Sequence, residues 1–279
     1  MKRRQAMTKA CFLLRKHAKE ESLARFLLMY LVDENSSTFN KEISSELDKK
    51  TEEEYFNLIN KHIAEDTPLS HLTGFEYFYN RKFKVTSDVL SPRMETEELV
   101  EKVIDYVKKQ KLYNIKILDL CTGSGIIAIT LQKEISERII SVIGSDISSE
   151  ALSVARLNST NLKSDVKFIN SDLFEKIKDK FDIIVSNPPY IAYSDKITLK
   201  KDVLNFDPHL ALFAEEDGMY FYRKIIEQAS QYLTDQGVIF FEIGYNQKDK
   251  ITHLAKRDNY RIQILKDING RDRIAILYK

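Results

Sequence analysis

Four residues with unusual chemical possibilities stand together in this chain: Asn187-Pro188-Pro189-Tyr190, directly after the apolar run FDIIVS (181–186). The chain has 5 prolines, and two of them are adjacent here. Each proline removes a backbone donor and fixes φ, so the pair ends a buried strand abruptly. That rigidity keeps the Pro188 carbonyl out of a neighbouring ladder. The side-chain oxygen of Asn187 and this carbonyl then make two acceptors in a fixed arrangement, and a planar –NH2 group presents two donors in a fork that matches them. An amide or exocyclic amine nitrogen is a poor nucleophile because its lone pair is delocalised. Accepting its N–H bonds returns electron density to it, and holding it about 3–3.5 Å from an electrophilic carbon can supply several kcal/mol of the barrier. Tyr190 offers a flat face for stacking. Asn187, Pro188 and Tyr190 are therefore the expected catalytic residues, with no side-chain nucleophile and no metal. The alternative is a loop that uses prolines only to stop a strand.

A second constellation is DLCTGSGIIA (119–128), placed where a strand meets a helix. Gly123 and Gly125 allow sharp turning and close approach of backbone to ligand. Asp146 ends the next strand, and its carboxylate can accept from both hydroxyls of a ribose, each charge-assisted bond being worth about 1.5–3 kcal/mol. Gly123-x-Gly125-x-x-Ala128 with an acid about 20 residues on also satisfies the dinucleotide fingerprint, so a nicotinamide site and an S-adenosylmethionine (SAM) site are both open on these residues. Two features favour SAM. Asp119, just ahead of the loop, repels a pyrophosphate and suits a sulfonium and an ammonium. The chain also ends in an antiparallel hairpin signal, which is not the dinucleotide pattern. In NSDLF (170–174), Asp172 can accept from an adenine amino group, with Ile147 and Leu173 sandwiching the ring; a plain helix N-cap for Asp172 and core packing for Leu173 are the alternatives.

These residues need a scaffold. From position 115 short apolar strands (IKILDL, IISVIGSD, VKFIN, FDIIVS, GVIFFEI) alternate with helical patterns, which implies a parallel sheet covered by helices on both faces. The end of the FDIIVS strand then lies beside the end of IKILDL, at the ligand crevice, so Asn187 faces the reactive end of the ligand. RIQILKDI and RIAILYK face each other across Asn269-Gly270 as an antiparallel edge hairpin. Ahead of this, residues 1–74 read as a small helical domain that needs a partner surface to be stable, with a break at NSST (35–38) and a capping box from Thr51 to Glu54. Residues 75–90 read as a β-hairpin connector turning at Asn80-Arg81, and 91–279 as the catalytic domain.

Composition narrows the choice. The 279 residues carry 43 Lys+Arg and 42 Asp+Glu, so net charge gives no global argument for nucleic acid. The basic excess near the N-terminus reads as a solvated helix face. Cys11 and Cys121 support neither a disulfide framework nor a zinc site. No run approaches the ~20 apolar residues of a membrane span, and charges interrupt the apolar start, so a cytoplasmic protein is expected.

NPPY after a strand, together with DLCTGSG and GSD, resembles the amino-methyltransferases. HLTGFEYFY, VLSPRMETEELVE, NFDPHLALFAEEDG and DINGRDR resemble one branch, the peptide chain release factor glutamine methyltransferases, from about Pro68 to Lys279. The resemblance implies a class I methyltransferase α/β fold: a doubly wound, mostly parallel sheet with a C-terminal antiparallel hairpin, plus the N-terminal helical domain, whose helices with the following hairpin would help dock the release factor. It also implies SAM as donor, S-adenosylhomocysteine as product, and methylation of the glutamine amide in the Gly-Gly-Gln motif of release factors. By that pattern Asn187, Pro188, Pro189 and Tyr190 hold the glutamine amide, while Cys121, Thr122, Gly123, Ser124, Gly125, Asp146, Ile147, Asp172, Leu173 and Asn187 line the SAM site. The implied partner is a release factor, with no membrane, no direct nucleic-acid binding and a monomeric state. The chain departs from the pattern at Cys121, where glycine is common, at Ser91, where an apolar residue is usual, and at Met94, where proline is usual; these departures leave Arg93 unassigned. A nucleic-acid amino-methyltransferase would use the same chemistry but needs a basic groove or recognition domain. A nicotinamide oxidoreductase and a catalytically silent docking protein are the remaining alternatives.

Overall fold

A computed structural model describes residues 1–199 and 201–279. The chain divides into two compact units, one of Met1–Phe75 with Lys201–Phe206, the other of Glu76–Lys200 with Asp207–Lys279. No helix among the described residues is long and apolar enough to cross a membrane.

The first unit is helical: α1 (Arg3–Lys16), α2 (Ser22–Leu31), α3 (Ser36–Lys41), α4 (Lys49–Glu65) and α5 (Leu69–Thr73). Ala6, Ala10 and Leu14 fall on one face of α1 and pack with Leu27, Leu28, Phe39, Tyr55 and Ile59. The NSST stretch is more than a break. Asn35 caps α3, its side chain accepting from the backbone of Ser37 and Thr38 at 3.0 Å each. The cap of α4 is also displaced from its expected position. Asp48 accepts from Thr51 N at 2.9 Å, so Thr51 lies inside the first turn rather than ahead of it.

The second unit begins with the hairpin β1 (Phe75–Phe78) and β2 (Arg81–Lys84). Its turn is Tyr79-Asn80, both at positive φ (48° and 58°), one residue earlier than the sequence suggested. A two-residue turn with both central residues left-handed matches the twist of the strands, and Glu97 holds it by accepting from Tyr79 N at 2.8 Å. Next come α6 (Met94–Lys109), β3 (Ile115–Leu120), α7 (Ile126–Glu134), β4 (Ile139–Asp146), α8 (Ser149–Asn161), β5 (Lys167–Asn170) and β6 (Phe181–Ser186). β7 (Ile191–Ala192) and β8 (Phe213–Ala214) form a short parallel pair; between them in sequence come α9 (Lys201–Phe206), which belongs to the first unit, and α10 (His209–Leu212). The chain ends with α11 (Glu215–Gly218), α12 (Tyr220–Tyr232), β9 (Leu233–Glu242), α13 (Lys248–Arg257), β10 (Arg261–Lys266) and β11 (Asp272–Tyr278).

The main sheet has seven strands in the order β10-β11-β9-β6-β3-β4-β5. Pairs among β9, β6, β3, β4 and β5 are parallel, while β11 is antiparallel to both β9 and β10. The fold is that of a class I methyltransferase, as expected. The terminal hairpin contributes only one strand against the grain, because β11 inserts next to β9 and returns β10 to the common direction. The near-continuous apolar runs of β3 and β6 arise from burial on both faces. Ile117, Ile183 and Val185 pack with α6 and α7 residues such as Val103 and Leu131. Leu118, Leu120 and Ile184 pack with α12 and α13 residues such as Ile225 and Ile251. Each such side chain contributes about 1.5–3 kcal/mol by leaving water. Register decides the rest: Leu120 sits opposite both Ser145 and Ser186. The carboxyl ends of β3, β4 and β6 are therefore level, and the loops that leave these three strands emerge side by side.

Candidate active site

The loop after β3 reverses direction with Cys121, Gly123 and Gly125 all at positive φ (59°, 54° and 78°). At Gly125 an added Cβ would meet Ala155, Ile129 and Phe168 at 3.1 Å, so glycine is required there for both conformation and space. Asp119 secures the loop from beneath. Its Oδ2 accepts from the Thr122 hydroxyl at 2.5 Å and from Ala128 N at 3.1 Å. Burial pushes its carboxyl up to about 7. This corrects the electrostatic argument from sequence: Asp119 is buried under the loop and does not line the cavity, so it braces the turn instead of presenting charge to a ligand.

Asp146 ties the neighbouring strand to the same loop. Its two oxygens accept from Gly123 N (2.8 Å) and Ser148 N (3.0 Å), one bond each. A carboxylate has about four lone-pair sites, so each oxygen keeps capacity for a hydroxyl. After β5, Ser171 makes the local turn bonds, accepting from Lys176 N at 3.0 Å and donating to the Leu173 carbonyl at 3.0 Å. The Asp172 carboxylate is bonded to no described residue, so it is not the cap.

Together these segments line a cavity of about 390 Å³, within the range of small-molecule sites. Cys121, Thr122, Gly123, Ser124, Asp146, Ile147, Asp172, Leu173, Asn187 and Pro189 all line it. Gly125, Pro188 and Tyr190 do not. Ile147 is 53% exposed, leaving a large apolar face open toward this side. Burial raises the thiol pKa of Cys121 well above its ordinary value, so it stays a neutral thiol. Its left-handed backbone carries a strain of about 1–2 kcal/mol that a glycine would not.

At the end of β6 the double proline carries the chain away from the sheet. Neither the Asn187 side-chain oxygen nor the Pro188 carbonyl accepts a hydrogen bond from any described residue. Asn187 Nδ2 lies 3.4 Å from Thr96 Oγ1, and Thr96 donates to Glu242 Oε2 at 2.7 Å. Burial raises the Glu242 carboxyl to about 7, against the opposing pull of the Thr96 bond and of Arg273. Tyr190 packs into the α12–α13 side of the core. Gln247 Nε2 donates to its carbonyl at 2.9 Å, and a Cβ on Gly218 would stand 2.2 Å from that oxygen.

Sequence reasoning missed Thr96, Glu242, Gln247 and Gly218. One signal was available: a lone acid ending the apolar run GVIFFE, where a buried carboxylate is exceptional. Arg93, left unassigned, lines the cavity and pairs with the buried Asp207 at 2.6 Å, while Asp207 also accepts from Ser91 N at 3.0 Å. No group of three or more His, Cys, Asp or Glu that could hold a metal ion occurs among the described residues.

Residues 86–205 match the family model described as Methyltransferase small domain. The chain is 38% identical over 267 residues, 95% of its length and 94% of the relative's, to a Release factor glutamine methyltransferase of Streptococcus pneumoniae. The chain belongs to the release factor glutamine methyltransferase family. A relative of the same name from Lactococcus lactis is 43% identical over 77% of this chain and 79% of its own. Among solved structures, a methyltransferase from Pyrococcus furiosus shares the fold, with a TM-score of 0.54 at 18% identity over 80% of this chain and 95% of its own.

Proposed function

We propose that this chain transfers a methyl group from SAM to the side-chain amide nitrogen of the glutamine in the Gly-Gly-Gln motif of peptide chain release factors, breaking the S–CH3 bond, forming an N–CH3 bond and releasing S-adenosylhomocysteine and one N–H proton. The observation that carries the site assignment is the pair of acceptors at the end of β6, which no described donor occupies, beside a cavity walled by the glycine loop, Asp146 and Asp172. Family membership supports the substrate class.

The residues present suit SAM. Asp146 has lone pairs left for ribose hydroxyls, Asp172 a free carboxylate for the adenine amino group, and Ile147 with Leu173 apolar faces for the ring. Cys121, Thr122, Gly123, Ser124 and Asn187 complete the wall, with Gly125 setting the turn. When bound, SAM supplies a methyl group activated on a cationic sulfur. The protein's contribution is positioning. Asn187 Oδ1 and the Pro188 carbonyl accept the two amide N–H bonds of the glutamine, Pro188 and Pro189 hold this backbone rigid, and Tyr190, packed against the α12–α13 side of the core, anchors the segment. This arrangement orients a flat nitrogen and lessens its delocalisation. Cys121 stays protonated and takes no part as a nucleophile. The helical unit docks the protein substrate. The enzyme acts in the cytoplasm as a monomer, without a nucleic-acid partner.

Tritium transfer from labelled SAM to purified release factor, to DNA and to RNA tests the reading. Label on the release factor is expected; label confined to nucleic acid would replace the substrate class, and no SAM binding would end the methyltransferase assignment.

A further inference from the structure

We propose that Thr96 and Glu242 form a polarity relay that decides which end of the Asn187 amide faces the cavity. The inference rests on the proposed role of Asn187 and deepens it. An amide has an acceptor end and a donor end of nearly the same shape, and only one orientation suits a substrate –NH2. The double proline fixes the backbone but cannot choose between the two. Thr96 can. Its hydroxyl is buried and lies between two partners: Glu242 Oε2 at 2.7 Å and Asn187 Nδ2 at 3.4 Å.

The direction of this chain of bonds is set by donor arithmetic. An ionised Glu242 only accepts, so the single hydroxyl proton of Thr96 is committed to it. Thr96 then shows Asn187 a lone pair, which selects the –NH2 end and turns Oδ1 toward the cavity. A protonated Glu242 can instead donate to Thr96, freeing the hydroxyl to donate to Asn187. The oxygen end is then drawn away from the cavity and the site presents donors to a donor. Glu242 is 2% exposed, and the one hydrogen-bond partner of its carboxylate among the described residues is Thr96.

The groups that bear on its charge come from every side. Glu95 lies on α6 and Arg93 ahead of it. Arg273 on β11 is anchored by the Ile243 carbonyl at 3.1 Å and by Asp267 at 3.4 Å. Tyr190 lies beyond the end of β6, and the Tyr222 hydroxyl on α12 donates to the Glu242 carbonyl at 2.7 Å. Burial favours the neutral acid, while Arg273 and the Thr96 bond favour the anion, and the carboxyl lies at about 7. Orientation of Asn187 is thereby linked to a proton that moves near neutral pH. Thr96 and Glu242 are positioning residues, since they act through Asn187.

The test uses the 279-residue chain with Thr96→Val, which keeps shape and removes the hydroxyl, Thr96→Ser, which restores it, and Glu242→Gln. Two readouts are taken. The first is single-turnover methyl transfer to release factor against pH, with SAM affinity by calorimetry. Wild type is expected to speed up as pH rises through the region near 7. Thr96→Val should lose about 10²-fold in rate, lose the pH dependence, and keep SAM affinity within a few-fold; Thr96→Ser should recover both rate and profile. The second readout is the side-chain –NH2 resonance of Asn187 in 15N-labelled protein, which needs no protein substrate. It should titrate in wild type and Thr96→Ser, and stay flat in Thr96→Val and Glu242→Gln. An Asn187 resonance that titrates equally in Thr96→Val, or a folded Thr96→Val enzyme with wild-type rate and pH profile, overturns the relay. If wild type leaves the release factor unmethylated, the proposed function falls, and the Asn187 titration still decides the relay.

Discussion

Removing the Asp146 carboxylate is the perturbation whose consequence can be worked furthest. Each of its oxygens takes one backbone N–H, from Gly123 at 2.8 Å and from Ser148 at 3.0 Å, and each has capacity left for a ribose hydroxyl. Asp146→Ala removes the acceptor for the ligand and the tie that holds the glycine loop to β4. One lost charge-assisted bond costs about 1.5–3 kcal/mol, so SAM affinity should fall by at least about 10- to 150-fold. The orphaned N–H groups should also lower the melting temperature by several degrees. Asp146→Asn sharpens the expectation. Its amide keeps one oxygen, but its –NH2 must then face either Gly123 N–H or Ser148 N–H, donor against donor. The asparagine variant should therefore bind SAM nearly as weakly as the alanine variant, not halfway between. Calorimetry with SAM and S-adenosylhomocysteine, beside thermal melts, reads both effects. Unchanged affinity in a folded Asp146→Ala protein would refute the ribose assignment, and full rescue by asparagine would refute the two-oxygen anchoring.

Other consequences can be checked separately. Gly218→Ala places a Cβ 2.2 Å from the Tyr190 carbonyl at a φ of +81°, so it should destabilise by more than about 2 kcal/mol in denaturant melts and reduce turnover; a neutral effect would show that the NPPY segment is not clamped there. Glu242 and Asp119 are both raised to about 7, from ordinary values of 4.5 and 3.8. Between those limits the folded state holds more protons than the unfolded one, so stability is complete below pH ~4 and falls as pH rises toward 7, by at most about 3 kcal/mol for Glu242 and about 4 kcal/mol for Asp119. Glu242→Gln should flatten that fall in melts taken from pH 5 to 8, and an unaltered slope would contradict burial as the cause. On the helical unit, Phe12 and Phe26 are 65% and 52% exposed. Replacing both by alanine should raise the KM for release factor and leave SAM affinity unchanged; an unaffected KM would remove these residues from docking.

Much of the scaffold could be read directly. IKILDL, IISVIGSD and FDIIVS are strands with the bounds their apolar runs suggest, because fully covered strands must be apolar and turn residues end them. The level ends of β3, β4 and β6 then bring Gly123, Asp146 and Asn187 together. The features that could not be read have definite reasons. A strand covered on both faces gives no periodic sign of where each side chain points, so the downward turn of Asp119 into the loop was invisible. A hairpin signal says that two strands pair, not which of them joins the sheet, so the insertion of β11 beside β9 was not legible. Thr96 and Glu242 are 146 positions apart, and nothing local announces that they meet. Asp48 was passed over for Thr51 because both can cap, and only backbone conformation chooses between them.

In the proposed reaction two acceptors at the end of β6 hold a glutamine amide nitrogen for methylation. The most direct measurement is mass spectrometry of the release-factor peptide bearing Gly-Gly-Gln, after incubation with SAM and either wild-type enzyme or Asn187→Ala, with SAM affinity measured on both proteins. One added methyl, located on that glutamine, is expected with wild type, and almost none with a variant that still binds SAM. Equal methylation by Asn187→Ala, or a methyl found on another residue, would contradict it.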